Sequence, residues 1–187
     1  MPGISDSKCV LVTGATAGIG RALSLAIADL PSSPTVIAAG RRQGRLEELA
    51  KSNLATVQVD VDTDKHALKK FVDDILLKYP DLDTIILCAG VQHEFDFQKQ
   101  VDLDKLTSEI NINYISVVSL ISLFLPHFLK LADRPCFIVT VTSGIGIVPA
   151  PHVLNYSASK AALHSFSTSL QVQLRATNVH VLEIIPP

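Results

Sequence analysis

The chain has 187 residues, 48% of them apolar and 18% charged, and a formal net charge of −2. That length suits one well-buried domain over residues 1–187, and the near-neutral balance leaves no basic field for nucleic acid and no Lys/Arg-rich run for a membrane surface. Cys9, Cys88 and Cys136 stand far apart without redox or zinc spacing, and the six histidines show no metal-ligand spacing.

The odd cysteine count suits a reducing compartment, so a cytoplasmic location is expected, with each thiol buried in an apolar run. The opening MPGISDSK lacks the apolar core of a signal peptide. Lys8–Thr13 is a short β-rich run that ends in a glycine cluster, and Arg21–Leu30 then carries helical periodicity. TVIAAG reads as a second strand ending at Gly40, followed by a charged helix from about Gln43 to Ser52. Ala55–Asp60 is a third strand. Thr63–Tyr79 is amphipathic, with Ala67, Leu68, Phe71, Ile75 and Leu76 on one face and Asp62, Thr63 or Asp64 available as its cap.

DTIILCAG is a fourth strand running into Gly90. Leu103–Ala132 is a long helix, apolar over most of its circumference. Its central run is broken by serines, Pro126 and His127 and reads as a buried helix, short of a membrane span. CFIVTVTS is a fifth strand, Asn155–Thr177 a helix, and VHVLEII a sixth strand. The strands are near-continuous apolar runs, as expected when a parallel sheet is covered on both faces. Strands and helices alternating at these lengths predict an α/β fold with a doubly wound, Rossmann-type parallel sheet of six strands.

Between the first strand and first helix lies TGATAGIG, Thr13–Gly20. Gly14, Gly18 and Gly20 permit a tight turn and close approach to a pyrophosphate, while the helix N-terminus supplies N–H donors and a positive dipole end. Ile19 offers its backbone N–H and Thr16 its hydroxyl. In such folds an acid ending the second strand holds a ribose 2′-hydroxyl, and an arginine suits a 2′-phosphate. Here the strand ends in Gly40-Arg41-Arg42, so NADP(H) is the expected cofactor, with Arg41 as main contact. Asp60 and Val61, on the same edge, are candidates for the adenine side, Asp60 as an acceptor or else as a helix cap.

With these motifs in place, the chain resembles the short-chain dehydrogenase/reductases along essentially its whole length. The matches are the Thr13–Gly20 loop, Ala89-Gly90 after the fourth strand, Asn113 in ININYIS, Ser143 after the fifth strand, and Tyr156 four residues before Lys160. The resemblance implies hydride transfer between NADP(H) and a small carbonyl or alcohol substrate. It implies Tyr156 as acid/base, Lys160 as cofactor contact and as the cation that lowers the phenol's pKa, Ser143 as the donor that polarises the substrate oxygen, and Asn113 as holder of a helix kink and an ordered water. His152, between Ser143 and Tyr156, is a further candidate for the substrate cleft.

Two departures qualify the resemblance. Leu87 and Cys88 stand where the family usually has asparagines, which predicts a looser tie between the fourth strand and its neighbours. Family members also usually continue past the sixth strand into a nicotinamide-contacting loop, a lid and a seventh strand, whereas this sequence stops at Pro186-Pro187. An open, wet site and an uncovered edge at Val179–Ile185 are expected. The alternative is an NADP(H)-binding or partner-binding protein without turnover. The resemblance further implies a homodimer through the Leu103 and Tyr156 helices.

Overall fold

The computed structural model describes residues 2–187. Six strands, β1 (Cys9–Thr13), β2 (Thr35–Gly40), β3 (Ala55–Gln58), β4 (Thr84–Leu87), β5 (Cys136–Val141) and β6 (Val179–Ile184), form one sheet in the order β3-β2-β1-β4-β5-β6. Every neighbouring pair is parallel. The doubly wound, Rossmann-type α/β expectation therefore holds.

The helices are α1 (Gly18–Ala28), α2 (Gln43–Ala50), α3 (Lys65–Lys78), α4 (Leu103–Ile110), α5 (Ser116–Lys130) and α6 (Leu154–Leu174). Strand alternation sorts the core into two layers. Leu11, Ile37, Ile85 and Ile138 point to the side covered by α3, α5 and α6. Val10, Val12, Ile86 and Val139 point to the other side, where Ile27 of α1 and Leu49 of α2 close over them. That is why the strand sequences read as unbroken apolar runs. Phe124 and Phe128 of α5 are fully buried, and each stabilises the fold by about 1.5–3 kcal/mol relative to an exposed ring.

The long helix differs from the sequence expectation. It runs from Leu103 to Lys130, 28 residues, and by length and composition alone it is long and apolar enough to cross a membrane. In the fold its apolar face packs on the sheet through Leu120, Ile121, Phe124 and Phe128. It is interrupted by a π turn at Asn111–Ile115. Strand β3 stops at Gln58, not Asp60, after a last ladder bond from Val59 N to Gly40 O of 2.9 Å. Asp64, of the three candidates, caps α3, accepting from His66 N at 2.7 Å and Ala67 N at 2.9 Å.

Strand order reverses at β1, which lies between β2 and β4. The connections leave in opposite directions there and open a crevice at the carboxyl ends of the strands, the usual place for a ligand in such sheets.

Candidate active site

A cleft of about 530 Å³ occupies that crevice. Gly14, Thr16, Gly18 and Ile19 line it at the α1 end, Arg41, Asp60 and Val61 at one side, Ala89 and Gly90 at its floor, and Ser143, Tyr156 and Lys160 at the far end. Gly20 and Asn113 stand behind its wall. The structure thus brings together residues more than 140 positions apart in sequence.

The three loop glycines meet different demands. Gly14 has φ +68°, and a Cβ on it would lie 2.7 Å from Ala89 N. A Cβ on Gly20 would lie 2.6 Å from Gly14 O, so this glycine permits helix–strand packing. Gly18 has φ +53°, and a Cβ there would meet no protein atom within 4 Å. Its bareness serves the open cleft. Helix α1 begins at Gly18 after Ala17, which supplies no side-chain cap. The first N–H groups of a helix lack intrahelical partners; here they face the cleft, as a pyrophosphate requires.

At the β2 end, a Cβ on Gly40 would lie 2.6 Å from Thr16 Cγ2. The nearly buried Thr16 side chain thus takes the place where an acid would otherwise project. Arg41 and Arg42 are exposed on the cleft wall. Among the described residues the arginine ion pairs belong to Arg45 and Arg134, so both cleft guanidiniums are uncommitted. Asp60 is exposed, with Oδ1 accepting from Asp62 N at 3.1 Å. These features fit a dinucleotide bearing an extra phosphate.

Tyr156 and Lys160 share one face of α6. Lys160 Nζ lies 5.5 Å from the phenol ring centroid and donates to Val141 O at 2.7 Å. Burial pushes the Lys160 ammonium down to about 8. Burial also raises the Tyr156 phenol; the Ser143 hydroxyl beside it works downward, and the charges of Glu109 and Cys88 work upward. Lys160 is not among the groups that shift the phenol.

Asn113 is fully buried in the π turn. Its Oδ1 accepts from Val91 N at 2.9 Å, and its Nδ2 donates to Val91 O at 2.8 Å and Ser159 Oγ at 3.1 Å. It clamps the chain after Gly90 to α6, and both its N–H groups are spent on protein. The kink expected at Asn113 is present as this π turn.

Several contributors were missed in the sequence. Thr13 Oγ1 accepts from Cys88 N at 3.2 Å and Ala89 N at 3.3 Å, tying β4 to β1 where the expected asparagines are absent. Cys88 itself lines the cleft, while Cys9 and Cys136 are buried. Gly146 lets the 3₁₀ turn after Ser143 lie on α6, since a Cβ there would be 2.9 Å from Lys160 C. Glu109 is buried and its Oε2 accepts from Asn155 Nδ2, next to Tyr156, at 2.7 Å. His152 is exposed and outside the cleft lining; its carbonyl accepts from Phe95 N at 3.2 Å.

The family model for short chain dehydrogenases matches residues 8–187. The uncharacterized oxidoreductase DltE of Bacillus subtilis is 40% identical over 184 residues, covering 97% of this chain and 71% of that protein. A serine dehydrogenase from Escherichia coli superposes with TM-score 0.85 at 29% identity, over 95% of this chain and 82% of that one. A closed form of serine dehydrogenase complexed with NADP+ gives TM-score 0.84 at 29% identity, over 95% and 71%. Against two plant 11-beta-hydroxysteroid dehydrogenases, the chain spans 48% and 58% of their length. The chain belongs to the short-chain dehydrogenase/reductase family, whose members are oxidoreductases using NAD(P)(H).

Proposed function

We propose that the chain binds NADP(H) and transfers hydride between it and a small carbonyl or alcohol substrate. The carrying observation is one continuous cleft with uncapped helix N–H groups at one end and Tyr156, Lys160 and Ser143 at the other. The bound nicotinamide supplies the hydride. Tyr156 gives a proton to the substrate oxygen in reduction and takes it in oxidation, Ser143 donates a hydrogen bond to that oxygen, and Lys160 contacts the cofactor. Asn113 holds Val91 and α6 in register behind the site.

NADP(H) is favoured over NAD(H) by the uncommitted guanidiniums of Arg41 and Arg42 and by the absence of an acid at Gly40. The serine dehydrogenase complexed with NADP+ supports the same choice. A homodimer through α4–α5 and α6 and a reducing, cytoplasmic setting complete the proposal; the three free thiols support the setting.

The test is NADPH oxidation with a panel of aldehydes and ketones. Tyr156→Phe is expected to lower kcat by about 10²–10⁴ while leaving cofactor binding in place. Arg41→Ala is expected to weaken NADPH by about tenfold, with NADH little changed. NADPH binding without turnover by the unsubstituted chain selects the alternative, a nucleotide-binding protein. Unchanged NADPH affinity in Arg41→Ala overturns the cofactor assignment.

A further inference from the structure

A glycine inside a strand weakens it, and one found there marks a bulge or a close approach by something else. Gly40 closes β2 within the ladder: it pairs with Gln58 of β3, and its carbonyl accepts from Val59 N at 2.9 Å. It is not among the glycines with positive φ, so its conformation does not call for glycine. Space does. A Cβ on Gly40 would lie 2.6 Å from Thr16 Cγ2, 3.3 Å from Thr16 Oγ1 and 3.5 Å from Thr16 Cβ. One residue supplies all three of the nearest atoms.

Neither side of this contact is free to retreat. Ala15 N donates to Ala39 O at 3.0 Å, which ties the two backbones together one residue before the contact on each side. Ala39 is itself paired with Thr13 of β1 and with Val57 of β3. Thr16 is 5% exposed, and its branched Cβ makes it stiff about χ1. The contact stands on the cleft wall, where Thr16, Gly40, Arg41 and Arg42 all line the cavity. The end of the second strand is also where an acid, if present, would hold a ribose 2′-hydroxyl. Such an acid needs a Cβ, and the Thr16 methyl occupies that volume.

We propose that Thr16 is a specificity-determining residue for the cofactor: its Cγ2 methyl excludes an acidic side chain from position 40 and so leaves the ribose 2′ position to the guanidiniums of Arg41 and Arg42. The nucleotide preference is then held by a packing contact as well as by charge. An acid introduced at position 40 does not by itself give a site for NADH; the methyl has to go as well. Thr16→Ser removes Cγ2, keeps the hydroxyl, and leaves 3.3 Å to Oγ1 as the nearest approach. The proposal rests on the reading of the cofactor as NADP(H).

The experiment is isothermal titration of NADPH and of NADH into the full chain, unsubstituted and as Thr16→Ser, Gly40→Asp and the two combined, a double-mutant cycle. Gly40→Asp is expected to weaken NADPH tenfold or more, because a carboxylate then meets the phosphate, and to leave NADH no tighter than before. Adding Thr16→Ser is expected to tighten NADH by about tenfold over Gly40→Asp alone. A gain for NADH in Gly40→Asp that Thr16→Ser does not increase overturns the proposal, and so does a combined variant with no gain. Gly40→Ala, with and without Thr16→Ser, reads the contact without any nucleotide. Its melting temperature is expected to fall and to recover when Thr16→Ser is added; shifts that simply add overturn the contact, and this pair decides if Gly40→Asp does not fold. An unsubstituted protein that binds NADH as tightly as NADPH would sink the NADP(H) reading, while the melting pair would still decide whether Thr16 excludes a side chain from position 40.

Discussion

Lys160 is an amine that the fold holds largely out of water, and stability should record the cost. Its pKa falls from 10.5 to about 8 on folding. Between those values the unfolded chain keeps a proton that the folded chain has released, so stability rises with pH across this window. Below pH 8 the penalty is at full size, about 3 kcal/mol at roughly 1.4 kcal/mol per pKa unit. The thiols of Cys9 and Cys136, raised by burial from 9.0 to about 12 and about 11, act oppositely above pH 9. The difference between two proteins that share them isolates the lysine. Lys160→Met is expected to be more stable than the unsubstituted protein at pH 7 by about 2 kcal/mol, after roughly 1 kcal/mol is lost at the unpaired Val141 carbonyl. The gap should shrink as pH rises from 8 towards 10.5, as read by urea denaturation at several pH values. A gap that is constant in pH would mean that the buried amine is not the cause. Tyr156 and Lys160 were legible because four residues is one helical turn. The surroundings were not, because Glu109 bonds Asn155, the residue before Tyr156, from 46 positions away and only packing reveals it.

Two glycines at opposite ends of the cleft separate binding from turnover at the level of whole elements. Gly18 starts α1 in the left-handed region with empty space beside it. Gly18→Ala should cost about 1–2 kcal/mol of backbone strain and fill the approach to the helix N–H groups, so NADPH affinity should fall much more than stability. Gly146 sits in the 3₁₀ turn Gly144–Gly146 against α6. Gly146→Ala must push that turn off Lys160, displacing Ser143 from Tyr156. Overpacking of this kind costs about 1–3 kcal/mol, and kcat should drop while NADPH affinity stays. Isothermal titration paired with steady-state rates distinguishes the two; full kcat in the Gly146→Ala protein would show that the turn does not set the Ser143–Tyr156 geometry. The role of Gly18 could be read from the loop spacing, since strand, glycines and helix are contiguous. That of Gly146 could not, because the surface it approaches belongs to a helix later in the chain. The π turn at Asn111–Ile115 was foreseen only as a kink, since side-chain bonds to Val91 and Ser159 fix its form.

Over the whole molecule two surfaces compete for a second copy. Strand β6 is an outer strand of the sheet, with Leu182 exposed, and an outer strand can pair with another chain. The helices α4–α5 and α6 instead expose Leu103, Ile115, Leu129, Leu154 and Val172, a set of large apolar side chains on two neighbouring elements. A twofold dimer through the helices closes on itself, whereas strand pairing at the edge can continue through unsatisfied backbone into larger aggregates. The helix surface is therefore expected to give a discrete species, two copies of a 20.1 kDa chain, by light scattering at micromolar concentration. Ile115→Lys places a charge amid the helix surface and should return the protein to monomer with little change in melting temperature. Leu182→Lys should leave the dimer intact and slow aggregation on heating. A dimer that survives Ile115→Lys and is lost in Leu182→Lys would move the interface to the sheet edge. A monomer before any substitution would remove the dimer from the proposal altogether.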